Sequence, residues 1–212
     1  MDTRFMNNHV ELIGKVVSDA EYNHEVFKEK MYRVYLSIER NSGVADVIPV
    51  IIPEFLRTPD EIKRGSTLRI EGQYRSFNMH EGNKTHLILS VYAVDIEELD
   101  DSHKHMNRIT LDGYICKAPT YRETPYGRQI SDFLVASNRQ YGKSDYIPCI
   151  AWGRNARRIS GYEVGTHVSV TGRIQSREYK KKISETEFET KVAYEVSTTG
   201  VDIKQESEEL AE

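Results

Sequence analysis

Cysteine is scarce in this chain: Cys116 and Cys149 are the two it has, too few for a disulfide framework or a cysteine-built zinc site. No run of eighteen apolar residues occurs, so no segment reads as a membrane-spanning helix. Six prolines and the lack of a long polar tract exclude a disordered chain. A G-x-x-x-x-G-K-(S/T) phosphate loop is missing. Neither paired carboxylates nor a base beside a nucleophile converge on one cleft, so no catalytic residue is expected. His103-Lys104-His105 has no third ligand at a recognisable spacing and reads as a solvated linker. No metal and no other cofactor is therefore expected. The opening "MDTRFMNNHVELIG" holds an acid and no continuous apolar stretch, which predicts no secretory leader and an intracellular location.

What the sequence does have is an internal repeat. "NHVELIGKVVSDAEY" from Asn8 aligns with "NRITLDGYICKAPTY" from Asn107, and the same offset of 99 carries Arg40 to Arg139, Asp46 to Asp145 and Pro49 to Pro148. One inserted residue later, Gly65, Gly72 and Ser76 match Gly165, Gly172 and Ser176. The repeat predicts two copies of one domain, 1–99 and 107–203, a linker at 100–106 and a short acidic tail at 204–212. Alternating apolar residues predict five strands per copy, in the second at about 107–117, 128–138, 145–152, 166–178 and 187–197. "GRNARRISGYEVG" fits a short helix or turn between strands three and four. Glycines at 14 and 113, and at 72 and 172, predict bends or bulges. The fold class expected is all-β: two tandem five-stranded OB-fold barrels.

Strand alternation sorts the third strand into two faces. Ile147, Cys149 and Ala151 point one way, as do Ile48, Val50 and Ile52 in the first copy, so this row is the expected core. Cys116 and Cys149 align with Val17 and Val50 and read as small buried hydrophobes. The other row holds Tyr146 and Trp152 in the second copy but Val47 and Pro53 in the first. In the fourth strand, Arg173, Arg177 and Tyr179 fall on the polar side, followed by Lys180, Lys181 and Lys182. Aromatic platforms flanked by cations match the exposed base faces and charged backbone of single-stranded nucleic acid, each stacked base contributing roughly 1 to 3 kcal/mol. The competing reading is a solvated ribbon with cations extending into water.

Charge separates the halves. Residues 1–100 hold 12 Lys and Arg against 17 Asp and Glu, while residues 101–201 hold 16 against 11. The aromatic half is also the cationic half, which is where strand binding is expected.

These residues resemble bacterial single-stranded DNA-binding proteins: the N-x-(V/I)-x-L-x-G opening in "NRITLDG", Asp145-Tyr146 with Trp152-Gly153-Arg154, and the run "GYEVGTHVSVTGRIQSREY". A more distant likeness is to primosomal replication protein N. The resemblance covers 107–203 well and 8–99 weakly. It implies stacking by Tyr141, Tyr146, Trp152 and Tyr179, and non-specific binding of single-stranded DNA in replication, recombination or repair, in the cytoplasm at the nucleoid. Phosphate contacts are expected from Arg139, Lys143, Arg154, Arg173, Arg177, Lys180, Lys181 and Lys182. The first copy has Ser42, Val47, Pro53 and Met79 at the stacking positions, leaving Arg75 and Phe77 as weaker candidates. Four OB domains per assembly, implied by the resemblance, would need a homodimer, with Val47, Pro49 and Ile51 as its expected contact surface. The acidic "KQESEELAE" has no Pro-Phe tip, so recruitment of replication proteins through a tail is not expected. The alternative reading is an interaction module of a primosome-like assembly in which the aromatics pack on protein; a nuclease is a weaker third.

Overall fold

Alternation of buried and more exposed residues lines the barrel interior, as Val34, Leu36 and Ile38 illustrate, buried on either side of the partly exposed Tyr35 and Ser37. The computed structural model describes residues 7–82, 84–139, 142–182, 184 and 187–204. The first half forms β1 (Asn8–Val16), β2 (Glu21–Val26), β3 (Glu29–Glu39), β4 (Ala45–Pro53), β5 (Thr67–Glu81) and β6 (Lys84–Leu99). The second forms β7 (Met106–Glu123), β8 (Gln129–Asn138), β9 (Ser144–Trp152), α1 (Arg154–Ile159), β10 (His167–Lys182) and β11 (Phe188–Ile203). In the first half a 3-10 turn at Pro59–Glu61 stands where α1 does in the second.

Both rings close. β1 pairs with β5 and β3, β5 with β6, β6 with β4 in parallel, and β4 with β3. In the second half β7 pairs with β10 and β8, β10 with β11, β11 with β9 in parallel, and β9 with β8. The architecture is therefore the tandem OB-fold that the sequence predicts, with β2 continuing the first strand of barrel one. Ala156 and Ile159 of α1 are fully buried and plug the second barrel. A glycine is required where β7 leaves β10 for β8: a Cβ on Gly113 would sit 2.3 Å from the carbonyl oxygen of Ala136. At Gly172 the β10–β11 register shifts, a β-bulge.

The strands run further than the periodicity suggests. β7 continues to Glu123 through irregularities at Ile115/Lys117 and Lys117/Thr120, which break the alternation without ending the pairing. β10 and β11 extend past the barrel as a hairpin reaching the Lys182–Phe188 pair. Cys149 is buried as expected, but Cys116 is half-buried, its thiol donating to the Leu134 carbonyl at 3.4 Å. Burial pushes both thiols above the usual cysteine range.

The barrels are joined edge to edge by antiparallel pairing of β1 and β7, from Asn8–Leu111 to Ile13–Met106. The sheet thus runs unbroken through eleven strands. The leading asparagine of each repeat acts as a backbone mimic. The Asn8 amide donates to Tyr74 O at 2.6 Å and accepts from Tyr74 N at 2.8 Å; Asn107 does the same with Ile174 at 2.7 and 2.9 Å. Both clamps hold the strand just past the conserved-in-repeat glycine, where regular pairing with β1 or β7 has ended.

Two carboxylates complete the joint. Asp46 and Asp145 are each 1% exposed. Asp145 accepts Ser76 N–H at 2.6 Å, Arg75 Nη1 at 3.0 Å and Arg139 Nε at 2.6 Å. Asp46 accepts Ser176 N–H at 2.8 Å, Arg173 Nη1 at 2.9 Å and Arg40 Nε at 2.8 Å. The serine hydroxyls finish the symmetry by accepting Tyr146 N–H and Val47 N–H. Replacing Asn8 with alanine should leave both main-chain groups of Tyr74 buried without their partner. A loss of about 1–3 kcal/mol per group, read as a lower Tm, is the expected result.

Candidate nucleic-acid interface

Tyr146 and Trp152 lie six residues apart on β9, so they share its outward face at a separation of about 20 Å. They are 44% and 38% exposed. Between them Ile150 is 5% exposed, so the outward row presents rings at its two ends. Trp152 borders a 260 Å³ cleft whose other wall is Gly127, Arg128 and Gln129, from the turn before β8. Tyr179, 38% exposed, stands on the projecting β10–β11 hairpin with the Arg177 guanidinium 6.0 Å from its ring centroid, a cation–π arrangement. Tyr141 lies outside the described residues.

The lysine run divides between two faces because side chains alternate along a strand. Arg177, Tyr179 and Lys181 share one side of β10. Lys180 and Lys182 take the other, and Lys182 pairs in register with Phe188, a ring 58% exposed. Lys143 and Arg154 are exposed, the first at the turn before β9 and the second at the start of α1.

Three arginines named from the sequence are placed elsewhere. Arg139, Arg173 and the weaker candidate Arg75 are bound to Asp145 and Asp46 in the joint between barrels. Arg139 also donates to Ser76 O at 2.9 Å. Burial, then the Arg40 guanidinium, lowers Arg173 from the usual arginine value, whereas the hydrogen bond to Asp46 raises Arg40. Their charges are spent on buried carboxylates, which a phosphate would have to displace. Phe77 is 65% exposed on the β5–β6 hairpin, one residue beyond the Ser76 contact to Tyr146.

The expected dimer surface is also corrected. Ile51 is 2% exposed and Pro49 is buried, with only Val47 at 37%. Ile51 is flanked in register by Arg33 and Tyr92, and β4 packs against β10 of the second barrel. Exposed rings that the alternation argument passed over are Tyr121 at 41%, Tyr126 at 93% and Phe188. Tyr121 lies on β7 just before a hairpin tip, Tyr126 lies in that tip and Phe188 begins a strand; the hairpin-tip signal T-P-Y-G around Tyr126 could have found one of them.

Residues 106–199 match the model of the single-strand binding protein family. This is the family whose motifs the sequence resembles. A single-stranded DNA-binding protein of Oceanobacillus iheyensis is 33% identical over 94 residues, 41% of this chain and 58% of that one. Single-stranded DNA-binding protein A of Bacillus subtilis is 32% identical over 97 residues, 42% of this chain and 56% of that one. The chain thus spans a little over half the length of these relatives. The crystal structure of wild-type single-stranded DNA binding protein from Thermus aquaticus superposes with a TM-score of 0.75 at 18% identity, over 97% of this chain and 96% of that one. At that identity the likeness concerns the fold, and it extends over both barrels.

Among the described residues no group of three or more His, Cys, Asp or Glu is placed to hold a metal ion. His105 instead accepts Glu39 N–H at 2.8 Å. No helix among them is long and apolar enough to cross a membrane. Exposed and joint residues should separate by stability: Tyr179→Ala should stay within about 0.5 kcal/mol of the parent, and Arg173→Ala, which leaves Asp46 with Arg40 but without its second guanidinium, should lose about 1.5–3 kcal/mol. Urea denaturation of both variants checks this.

Proposed function

We propose that the protein binds single-stranded DNA with little sequence preference and without a chemical step, chiefly through its second barrel. The observation that carries this reading is the set of half-exposed rings, Tyr146, Trp152 and Tyr179, on the barrel whose surface cations outnumber its acids. Each ring offers a stacking face to any base. Arg177, Lys181, Lys143 and Arg154 stand where a backbone passing those rings would meet them, and Tyr141 joins the set on the resemblance. Protecting or organising single strands in replication, recombination or repair follows as the role.

Sequence tolerance has a physical basis here, because stacking and phosphate pairing read no base edge. The similarity of 106–199 to the single-strand binding family supports the same reading. We further propose that two chains associate, since two barrels per chain would then give the four that the resemblance implies.

Trp152 is the single tryptophan of the chain and reports directly on the site. Its fluorescence should be quenched by oligo(dT), and affinity should fall with salt. Arg177→Ala and Lys181→Ala should each flatten the salt slope by about 0.7. Unquenched fluorescence with no salt-sensitive binding would overturn the reading. Parallel titration with oligo(U) measures whether the sugar is read. Light scattering at micromolar concentration should give twice the chain mass; a monomer would remove the dimer.

A further inference from the structure

The end of the first barrel that holds the β2–β3 turn keeps the rings of its counterpart and changes their electrical surroundings. Phe27, at the tip, is fully exposed, Phe55 is 72% exposed and Tyr22 is 59% exposed. At the repeat offset, Tyr22 and Phe27 correspond to Tyr121 and Tyr126 of the second barrel, while Phe55 replaces Arg154. The three belong to one surface. Glu54 N donates to Lys30 O at 2.9 Å and Phe55 N to the Glu29 carboxylate at 2.8 Å, which seats Phe55 against the base of the turn. Tyr22 packs edge-on against Tyr32 at 6.2 Å, and the Tyr32 hydroxyl donates to Glu54.

The turn itself is unusual. Phe27 and Lys28 both adopt positive φ, 51° and 69°, the pair of left-handed residues of a tight hairpin that Asn-Gly supplies most readily. A phenylalanine with no burial to gain, in a backbone region that disfavours it, has no folding rationale.

Charge says what kind of partner fits. Residues 21–33 and 53–61 hold six acids and four bases, against two acids and five bases in the matching 120–132 and 152–160. Three of the four bases are already in ion pairs: Lys30 with Glu54, Arg33 with Glu21, and Arg57 with Glu98. Asp60 and Glu61 add exposed acid beside Phe55. A phosphate backbone would be repelled from this ring cluster, and a basic one attracted.

We propose that Phe27, Phe55 and Tyr22 form a docking surface for a protein segment in which lysines or arginines bracket an apolar side chain. The rings supply the apolar anchor and the acids supply the steering, the usual division between centre and rim of an interface. This surface is separate from the strand-binding face, so its fate does not depend on the reading given above.

The test uses the full chain and a labelled peptide of lysines around a central leucine-phenylalanine pair, alongside a version with two serines at the centre. Fluorescence anisotropy should show the first binding at least tenfold more tightly than the second. Phe27→Asn, which suits the turn, and Phe55→Ser should each erase that tenfold advantage while leaving oligo(dT) affinity unchanged. Equal binding of the two peptides, or an advantage that survives both substitutions, would overturn the proposal. A loss of oligo(dT) affinity in Phe27→Asn would overturn it in favour of nucleic acid on this surface. Thermal melts confirm that each variant is folded before it is scored.

Discussion

The architecture depends on two carboxylates that water barely reaches. A buried charge is tolerated when opposite charge and hydrogen bonds replace its hydration, and each aspartate combines an arginine of its own barrel, Arg40 on Asp46 and Arg139 on Asp145, with groups from the other barrel. Asp46 needs Arg173 and the Ser176 amide from the other barrel; Asp145 needs Arg75 and the Ser76 amide. The two barrels are therefore fixed to one another by electrostatics as well as by the shared β1–β7 ladder. The same contacts aim the hairpins. The arm of barrel one departs beside Tyr146, and the arm of barrel two departs beside Val47, so each ring-bearing surface sits in a frame built from both halves.

Duplication has kept the joint and let the outer surfaces diverge. Asn8 and Asn107, Asp46 and Asp145, and Ser76 and Ser176 make the same contacts in both places. The arginines that reach across do not occupy matching positions: Arg75 works with Gln73, whereas Arg173 works with Gln175. Exchange of two residues on one face of a strand preserves the pairing: Arg75 reaches Asp145 and Arg173 reaches the counterpart Asp46. Away from the joint, the β10 arm presents Arg177, Tyr179 and Lys181 where the β5 arm has Phe77, Met79 and Glu81.

Much of the fold was legible because a barrel writes its inward rows as a period of two. Ile147, Cys149 and Ala151 are buried as alternation requires, and the repeated glycines mark where strands bend or bulge. What alternation cannot report is what the rest of the fold lays over the outward row. Pro49 and Ile51 looked free for that reason. Arg75 and Arg173 were read as DNA contacts because a cation on a polar face carries no sign that a buried acid 70 or 127 residues away will claim it, and Arg139 because nothing local marks Asp145, six residues on, as buried. Tyr146, Trp152 and Tyr179 read correctly as surface rings, since nothing on their own strands could bury them. Phe27 escaped notice altogether: its neighbours form a hairpin without the Asn-Gly that usually announces one.

The β1–β7 ladder pairs Asn8 with Leu111, and this has a consequence for how the chain comes off the ribosome. When the first hundred residues have emerged, β1 has an open edge and Asp46 holds the Arg40 guanidinium but lacks Arg173 and the Ser176 amide. Contacts so distant in sequence form late, and an open strand edge invites pairing with other chains. The edge is covered once residues 106–111 of β7 follow, but Asp46 must wait for Arg173 and Ser176, made about 75 residues after the first barrel ends. At the usual pace of synthesis, about 5–20 residues per second, that wait is several seconds, the interval in which a nascent chain of this design is most exposed to a wrong partner.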